Sequence, residues 1–444
     1  MDVNYEILPM IILLTSAFFV IYFLMYYRFI YSVLDPLFLF VFTTSFASVL
    51  AIQIVPTVKD LIHFFVCQSS VWAGFAIAHH RTNYSFSGIN ITNKVHEFSG
   101  QSLLKCITYI FLVLYILSNL VIGYVKGFAL LSEAPSSAKF ANFQEGFGLF
   151  RKMNWALGTF TIISFVFLYL IQGGKKYFLL ILIVTFFSSL EGSKAALLQI
   201  AISAGIVIYH PMFSVRREAL KKFRRYMPLA FIGIFGVVFT VLLKENDGLN
   251  GAFLAFVRRL LYSSDSLIYF YTPVNIDYFG GYSIADYFAR LVNPIFGFLR
   301  LQPYQEALGN ILYDNLRPPG SVIESITVGP NAPFYLEGRI YFYYWGAFPY
   351  CAIVGYLYGA IRIYFFSLMR TSAFYFVFIG SFCHFAQAIL VDSNLAVTQF
   401  FNLFFFTIPI FILVSLLLTG KLTVRFNKNL KRFKFKILHK YDSN

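Results

Sequence analysis

The chain has 444 residues, of which 59% are hydrophobic, 20% are aromatic and only 12% are charged. A soluble domain carries roughly 25% charged residues, so this composition excludes a soluble enzyme and predicts an all-α polytopic membrane protein. The net charge of +15 does not indicate a nucleic-acid partner, because the basic residues concentrate in short connectors between apolar segments and in the tail.

Apolar segments of about 20 residues cross a roughly 30 Å hydrocarbon core as helices. The first segment lacks a basic start and a small-residue cleavage site, so we interpret it as a retained span. The four cysteines lie in apolar segments without metal-ligand spacing, which favours packing residues over a disulfide framework or a metal site. The pattern predicts about eleven spans in one integral membrane domain (1–444): 8–27, 35–55, 59–79, 103–124, 154–172, 177–191, 194–210, 228–244, 341–361, 372–390 and 395–419.

Basic residues fall in alternate connectors, and this asymmetry predicts the orientation of the chain. They lie at Lys175 and Lys176, in 216–225, at Arg362 and Arg370 beside the connector after the ninth span, and throughout the tail 420–444. That side is expected to be cytoplasmic. The opposite side then holds a small loop, 125–153, and a large one, 245–340, both periplasmic if the membrane is a bacterial inner membrane.

The large loop contains arginines and tyrosines but no lysine. A guanidinium grips phosphate or carboxylate with two parallel hydrogen bonds, which an ammonium group does not provide. Tyrosine offers a flat face and a hydroxyl, both suited to sugar rings. The alternative is a structured loop whose charges pair with one another. The six arginines are Arg258, Arg259, Arg290, Arg300, Arg317 and Arg339.

The segment Glu191-Gly192-Ser193-Lys194 joins the sixth and seventh spans. Only 34 residues, 177–210, are available for two crossings, whereas two full spans need about 40. The turn is therefore predicted to lie below the membrane surface, where ionisable side chains are costly and mark functional sites. Lys194 is a candidate ligand for a lipid-linked phosphate. The alternative is an ion pair between Glu191 and Lys194, which are three residues apart.

Arg258 and Arg259 precede Asp265 by about two helical turns. We expect the arginines to hold this carboxylate ionised, which suits a basic or orienting role. The alternative is a salt bridge at the base of the loop. Lys244, at the predicted outer end of the eighth span, is expected at the same interface.

Glu337 and Arg339 lie just before the ninth span and are candidates for a carboxylate and a guanidinium at the membrane surface. Their alternative is a local ion pair. Asp392, in the short connector before the last span, is more consistent with an N-cap than with catalysis. The chain has no glycine-rich phosphate loop and no metal cluster, so no cofactor is expected.

These features resemble those of the bacterial O-antigen polymerases, the oligosaccharide repeat unit polymerase family. The resemblance covers nearly the full length as topology, and it implies the fold of lipid-dependent multi-spanning glycosyltransferases. Lys194 stands where many relatives have arginine. The motifs that carry the resemblance are Gly192-Ser193-Lys194, Arg258-Arg259…Asp265, the segment from Gly329 through Glu337 to Gly346, and Asp392 with the basic tail.

The resemblance implies transfer of a glycan from undecaprenyl pyrophosphate to a second lipid-linked repeat, with membrane lipid around the site and a chain-length regulator as partner. Asp265 or Glu337 would accept the proton of the attacking sugar hydroxyl. The cations implied for the pyrophosphate and sugar are Lys194, Lys244, Arg258, Arg259, Arg290 and Arg339, in one guanidinium-lined pocket. Two alternatives stay open: an O-antigen ligase, and a flippase or exporter of lipid-linked saccharide.

Overall fold

The computed structural model is helical apart from a short hairpin in the basic tail, where β1 (Thr423–Asn427) pairs antiparallel with β2 (Arg432–Lys436). The sequence pattern did not predict this hairpin. The structure describes residues 8–82, 98–133, 135–142, 146–192, 196–213, 236, 238–244, 246, 248–261, 264–303, 305–317, 329–369, 371–419, 423–427 and 432–436.

The first eight helices are α1 (Leu8–Tyr26), α2 (Pro36–Ile54), α3 (Val58–Thr82), α4 (Gln101–Lys126), α5 (Pro135–Ala141), α6 (Gly148–Gln172), α7 (Lys175–Leu190) and α8 (Ala196–Ile208). The large predicted loop holds α9 (Gly248–Leu261), α10 (Ser266–Phe270), α11 (Pro273–Phe279), α12 (Ile284–Phe296), α13 (Leu308–Asp314) and α14 (Phe334–Tyr341). Three helices follow: α15 (Tyr343–Phe366), α16 (Ala373–Ala386) and α17 (Ser393–Thr419). Single 3-10 turns lie at Tyr27–Phe29, Ala129–Leu131, Pro211–Phe213 and Gln387–Leu390.

Seven helices of the described part are long and apolar enough to cross a membrane. They coincide within a few residues with the predicted spans, so the chain is an α-helical membrane protein. The seven segments are Leu8–Phe29, Pro36–Ile54, Val58–His80, Gln101–Lys126, Gly148–Gln172, Ala373–Leu390 and Ser393–Leu418.

The other predicted spans have different outcomes. The pair 177–191 and 194–210 corresponds to α7 and α8, with 16 and 13 residues, each shorter than a full crossing. The predicted span 341–361 corresponds to α15, whose 24 residues include several tyrosines and glycines. Most of the predicted span 228–244 lies outside the described residues, although 238–244 is helical.

The large loop region is not a separate domain, because its helices share a core with the membrane helices. Leu267 and Phe270 of α10, Leu312 of α13 and Phe334 of α14 are buried with residues of α1, α2, α3 and α15. Burying this apolar surface fixes the region against one side of the bundle. A second core joins α4, α6, α8, α16 and α17.

The tightest helix pair is α3 with α15, and glycine permits it. A Cβ added at Gly74 would lie 1.8 Å from the carbonyl oxygen of Ala352, and one at Gly355 would lie 2.0 Å from that of Val71. Small residues let membrane helices approach until their backbones touch. This close crossing holds the start of α15 in place beside the candidate site.

Replacing Gly355 by alanine is expected to destabilise the protein by about 1–3 kcal/mol, because the new methyl group forces two backbones apart. Thermal unfolding in detergent measures this change. Gly281→Ala is the matched control, since no atom lies within 4 Å of the Cβ position there. Equal unfolding temperatures for the two variants would contradict the close-crossing argument.

Arg362 lies beside the connector after the ninth span, as the sequence predicts, but its side chain is buried, with only 2% of its surface exposed. Its two terminal nitrogens donate to both oxygens of Asp35 at 2.5 Å, and one of them also donates to the carbonyl of Phe29 at 2.7 Å. Asp35 also caps α2 by accepting from the backbone N–H of Leu37. The pair therefore ties the end of α15 to the start of α2.

Candidate functional site

Helix α14 presents alternate side chains to three different neighbours. Tyr335 lies near Ser264 and Asp265, Glu337 lies against the start of α17, and Arg339 reaches the start of α3. Positions two apart on a helix are about 200° apart and positions four apart about 40° apart, so Glu337 points away from the face that Tyr335 and Arg339 share. This short helix is the element that organises the predicted site residues.

Glu337 is the centre of a buried polar cluster, with 3% of its surface exposed. One carboxyl oxygen accepts from the backbone N–H of Ser393 at 3.1 Å and from its hydroxyl at 2.6 Å. The other accepts from the hydroxyl of Tyr350 at 2.5 Å. Glu337 therefore links α14, α15 and the N-terminus of α17, where helix amides favour a carboxyl group.

Asp392 lies beside Glu337 and is also buried. Its carboxylate accepts from the backbone N–H of Leu395 at 2.9 Å and of Ala332 at 3.4 Å. The capping interpretation is therefore confirmed. Burial raises the pKa of Asp392. Burial, and then the nearby Asp392 carboxylate, raise the pKa of Glu337 to about 8.

Tyrosines and Arg290 extend this cluster toward α12. The hydroxyl oxygens of Tyr350 and Tyr287 lie 3.3 Å apart, within hydrogen-bond distance. The Arg290 guanidinium donates to the hydroxyl of Tyr282 at 3.1 Å and to the carbonyl of Glu306 at 2.9 Å. Its carbon also lies 5.3 Å from the Tyr282 ring centroid, in cation–π range. A cation, hydroxyls and aromatic faces thus lie next to two carboxyl groups.

The side chain of Asn394 closes the cluster by donating to the carbonyl oxygen of Arg290 at 2.9 Å. Tyr341 lies within electrostatic reach of both Arg290 and Glu337, and its ring centroid is 5.5 Å from that of Tyr287. We call this set the carboxyl–tyrosine cluster: Tyr282, Tyr287, Arg290, Glu337, Tyr341, Tyr350, Asp392, Ser393 and Asn394.

Arg339 does not belong to the carboxyl–tyrosine cluster. Its guanidinium lies 3.6 Å from the carboxylate of Asp60 and 5.6 Å from the Tyr344 ring centroid. The local ion pair considered for Glu337 and Arg339 is therefore wrong, because the two side chains point to different helices. Arg339 instead links α14 to α3.

The Arg258, Arg259 and Asp265 segment forms a second polar region next to Tyr335. Arg258 is half-buried and Arg259 is exposed, in the last turn of α9, where basic side chains interact well with the helix dipole. Burial raises the pKa of Asp265 to about 6, and the lowering by Arg259 is smaller. Asp265 is therefore still mostly ionised at neutral pH, as expected, but burial outweighs the influence of Arg259 on its pKa.

Two predicted cations lie elsewhere or outside the described residues. The Lys244 ammonium is exposed and donates to the carbonyls of Leu130 at 2.9 Å and Ser132 at 3.4 Å. It therefore contacts the small loop 125–153. Lys194 lies outside the described residues. Glu191, three residues earlier, accepts from the side chain of Asn154 at 3.3 Å and lines a small cleft with α4 and α5.

The described cations are therefore not gathered in one guanidinium-lined pocket. Arg290 lies in the carboxyl–tyrosine cluster, Arg339 at Asp60, Arg258 and Arg259 at the end of α9, and Lys244 at the small loop. Two of these places adjoin, because Tyr271 is within electrostatic reach of Arg339 and of Tyr335, which lies near Asp265. Within the described ranges, no group of three His, Cys, Asp or Glu side chains has metal-binding geometry.

Sequence reasoning missed Tyr350 and Tyr287 as partners of Glu337. Tyr350 lies inside a predicted span, where an aromatic residue near a helix end is typical of the membrane interface. Tyr287 has no local signal beyond its proximity to Arg290 in the sequence. Asp60 was also missed, since a lone acidic residue at a helix start is typical of dipole stabilisation.

Comparisons with known protein families, curated proteins and solved structures found no match to this chain. A functional assignment therefore has to come from the chemistry of the clusters and their place in the membrane fold.

Proposed function

We propose that this protein is a glycosyltransferase that polymerises lipid-linked oligosaccharide repeats into an O-antigen or a similar surface polysaccharide. The reaction would take place at the periplasmic face of a bacterial inner membrane. The observation that carries the proposal is the carboxyl–tyrosine cluster, where Arg290 and four tyrosines meet buried carboxyl groups at the ends of α15 and α17.

The chemistry of that cluster fits a saccharide on an isoprenoid diphosphate. Tyrosine rings stack on sugar faces, and their hydroxyls exchange hydrogen bonds with sugar hydroxyls. A guanidinium such as that of Arg290 stabilises the negative charge that develops on a departing diphosphate. A lipid diphosphate leaving group already carries the energy of transfer, so the reaction needs no nucleotide. A chain-length regulator is the proposed protein partner.

Asp265 is the better supported of the two candidate bases. A general base works best with a pKa near the working pH, and Asp265 has a pKa of about 6 and is half-buried. Glu337 is buried, and both of its oxygens already accept hydrogen bonds from Ser393 and Tyr350. We therefore propose Asp265 as the base and Glu337 as a positioning residue that holds α14 against α17. Helix α14 connects the two regions, because Tyr335, near Asp265, and Glu337, in the cluster, are two residues apart on it.

The proposal includes about eleven spans, with 245–340 periplasmic and the C-terminus cytoplasmic. A phosphatase fused after Asn275 is expected to be active, since alkaline phosphatase folds only outside the cytoplasm, where disulfides form. Activity of a cytoplasmic reporter at the same position would reverse this orientation.

Arg290→Ala is expected to reduce polymerisation about 100-fold or more, as removal of one group that stabilises developing negative charge does elsewhere. Cells carrying it should display single capped repeats on lipopolysaccharide, seen as loss of the ladder on a gel. Arg290→Lys keeps the positive charge but loses the parallel N–H donors of the guanidinium, so an intermediate length of the polysaccharide chain is expected. Arg317→Ala is the control, because the Arg317 guanidinium pairs with Asp314, at an N–O distance of 2.9 Å, and Asp314 is not a member of the carboxyl–tyrosine cluster.

The same gels separate the competing functions. Complete absence of attached repeats after deletion of the protein would indicate a ligase or a flippase. A normal ladder with Arg290→Ala would remove Arg290 from the proposed site. Extension of defined lipid-linked repeats by the purified protein is the direct test of the polymerase.

A further inference from the structure

Helix α12 has its polarity reversed relative to a helix on a water-exposed surface. Asn293 and Pro294 are buried, and Arg290 is half-buried in the carboxyl–tyrosine cluster. Ile284 and Phe288, which are four residues apart, are 48% and 56% exposed, and the only exposed ionised side chain among the described residues of this helix is Asp286 in its first turn. A soluble helix buries its apolar stripe, so a helix that exposes it is suited to a lipid environment.

The second observation is that α12 runs alongside the membrane helix α17. The side chain of Asn394, in the first turn of α17, donates to the carbonyl of Arg290. Further along both chains, the Phe298 ring centroid lies 5.5 Å from that of Phe401 and 5.3 Å from that of Phe405. Phe405 is about 18 Å along α17 from its first residue, at 1.5 Å per residue. The two helices therefore run side by side in the same direction.

The chain then turns and returns beside α12. Arg300 has a positive φ of 57°, and the four-residue turn 297–300 ends there. The Asn293 side chain donates to the carbonyl of Pro303 and accepts from the backbone N–H of Gln305. Arg290 donates to the carbonyl of Glu306. The described residues 284–303 and 305–306 thus form a hairpin whose tip, 296–301, points along α17.

The tip itself is apolar and exposed. Phe296, Leu299 and Leu301 are 41%, 47% and 69% exposed. Phe404 and Phe405, on the apolar span of α17 that the tip contacts, are also exposed, at 45% and 40%. The tip is therefore continuous with the surface that α17 presents to lipid. The ammonium of Lys152, at the start of the membrane helix α6, lies 4.9 Å from the Phe298 ring centroid.

We propose that the hairpin 284–306 is a re-entrant element inserted in the outer leaflet, with the acyl chains of membrane lipid covering its tip. Continuity with α17 favours lipid over a protein partner, because a partner would have to displace lipid from the same surface. The exposed guanidinium of Arg300, in the same tip, then reaches from the acyl chains to lipid phosphates on its long side chain. The choice of the outer leaflet rests on the orientation in the proposed function, whereas the insertion itself does not. The inference revises the placement of all of 245–340 in the periplasm.

Cysteine labelling in proteoliposomes tests the proposal. Maleimide reacts with the thiolate, which forms in water and not among acyl chains. Leu299→Cys and Leu301→Cys should therefore react at least about tenfold more slowly than Asp277→Cys with a water-soluble maleimide. Asp277 is exposed on the neighbouring α11. The wild-type chain gives the background from its four cysteines, and labelling in SDS confirms that each new thiol is present.

A second measurement distinguishes lipid from protein as the cover. Compared with the wild type, Leu301→Trp should show additional tryptophan fluorescence, and brominated lipids should quench this additional fluorescence. The additional fluorescence of Asp277→Trp should not be quenched. Equal maleimide rates at positions 277, 299 and 301, or a slow rate without quenching at position 301, would overturn the proposal.

Discussion

Arg362→Leu is expected to lower the free energy of unfolding by about 3–5 kcal/mol, the usual effect of removing one partner of a buried ion pair. The substitution leaves the Asp35 carboxylate without its counter-charge where Asp35 is 0% exposed. It also leaves the Phe29 carbonyl without the donor that Arg362 provides. Denaturant or thermal unfolding of the purified protein in detergent measures the loss.

A second substitution distinguishes the effect of the unpaired Asp35 charge on stability from the effect of the lost packing of Arg362. Arg362→Leu combined with Asp35→Asn should recover part of the stability, because asparagine keeps an oxygen for the Leu37 N–H but carries no charge. Arg28→Leu is the control, since Arg28 is exposed and surface changes usually stay within about 0.5 kcal/mol. If the double variant is no more stable than Arg362→Leu, the buried charge is not the source of the loss.

Asp265→Asn is expected to reduce the rate of glycan transfer by about 10²–10⁴-fold, the usual contribution of a general base. The base must be ionised, so the wild-type rate should rise as pH increases through about 6, the raised pKa of Asp265, and level off above it. The measurement is the initial rate against pH, with purified protein and defined lipid-linked repeats.

The pH profile also identifies the base. If Glu337 accepted the proton, the rise would be centred near pH 8, where burial and Asp392 place the pKa of Glu337. Glu337→Gln is therefore the control. If Glu337 is a positioning residue, Glu337→Gln should change the overall rate of transfer but leave the midpoint of the pH profile near 6. A wild-type midpoint near 8 that disappears in Glu337→Gln would assign the base to Glu337.

Much of the fold follows from local sequence features. The long apolar segments predict seven of the helices. Backbone N–H and C=O groups without hydrogen bonds are costly in lipid, and in a single span only a helix pairs all of them within the segment. Helix starts are equally local, as at Asp35-Pro36, where a capping carboxylate precedes a proline, and at Ser283, whose capping box with Asp286 begins α12. The eleven-span count stays a prediction.

The candidate site is only partly local. Sequence patterns selected Glu337, Arg290 and Asp265, because charged residues beside apolar segments are uncommon. They did not select the partners of those residues. Glu337 meets Ser393, 56 residues further along the chain, and its neighbour Arg339 turns away to Asp60.

Local sequence was therefore enough to predict a helical membrane protein, the position of seven spans and the cap at Asp392, since these depend on neighbouring residues. The tertiary structure alone decided that Arg362 is buried against Asp35, 327 residues away, and that α12 turns its apolar stripe outward. It also decided the raised pKa values of Asp265 and Glu337. Burial and pairing depend on which side chains surround a group, and distant segments supply those side chains only when the chain has folded.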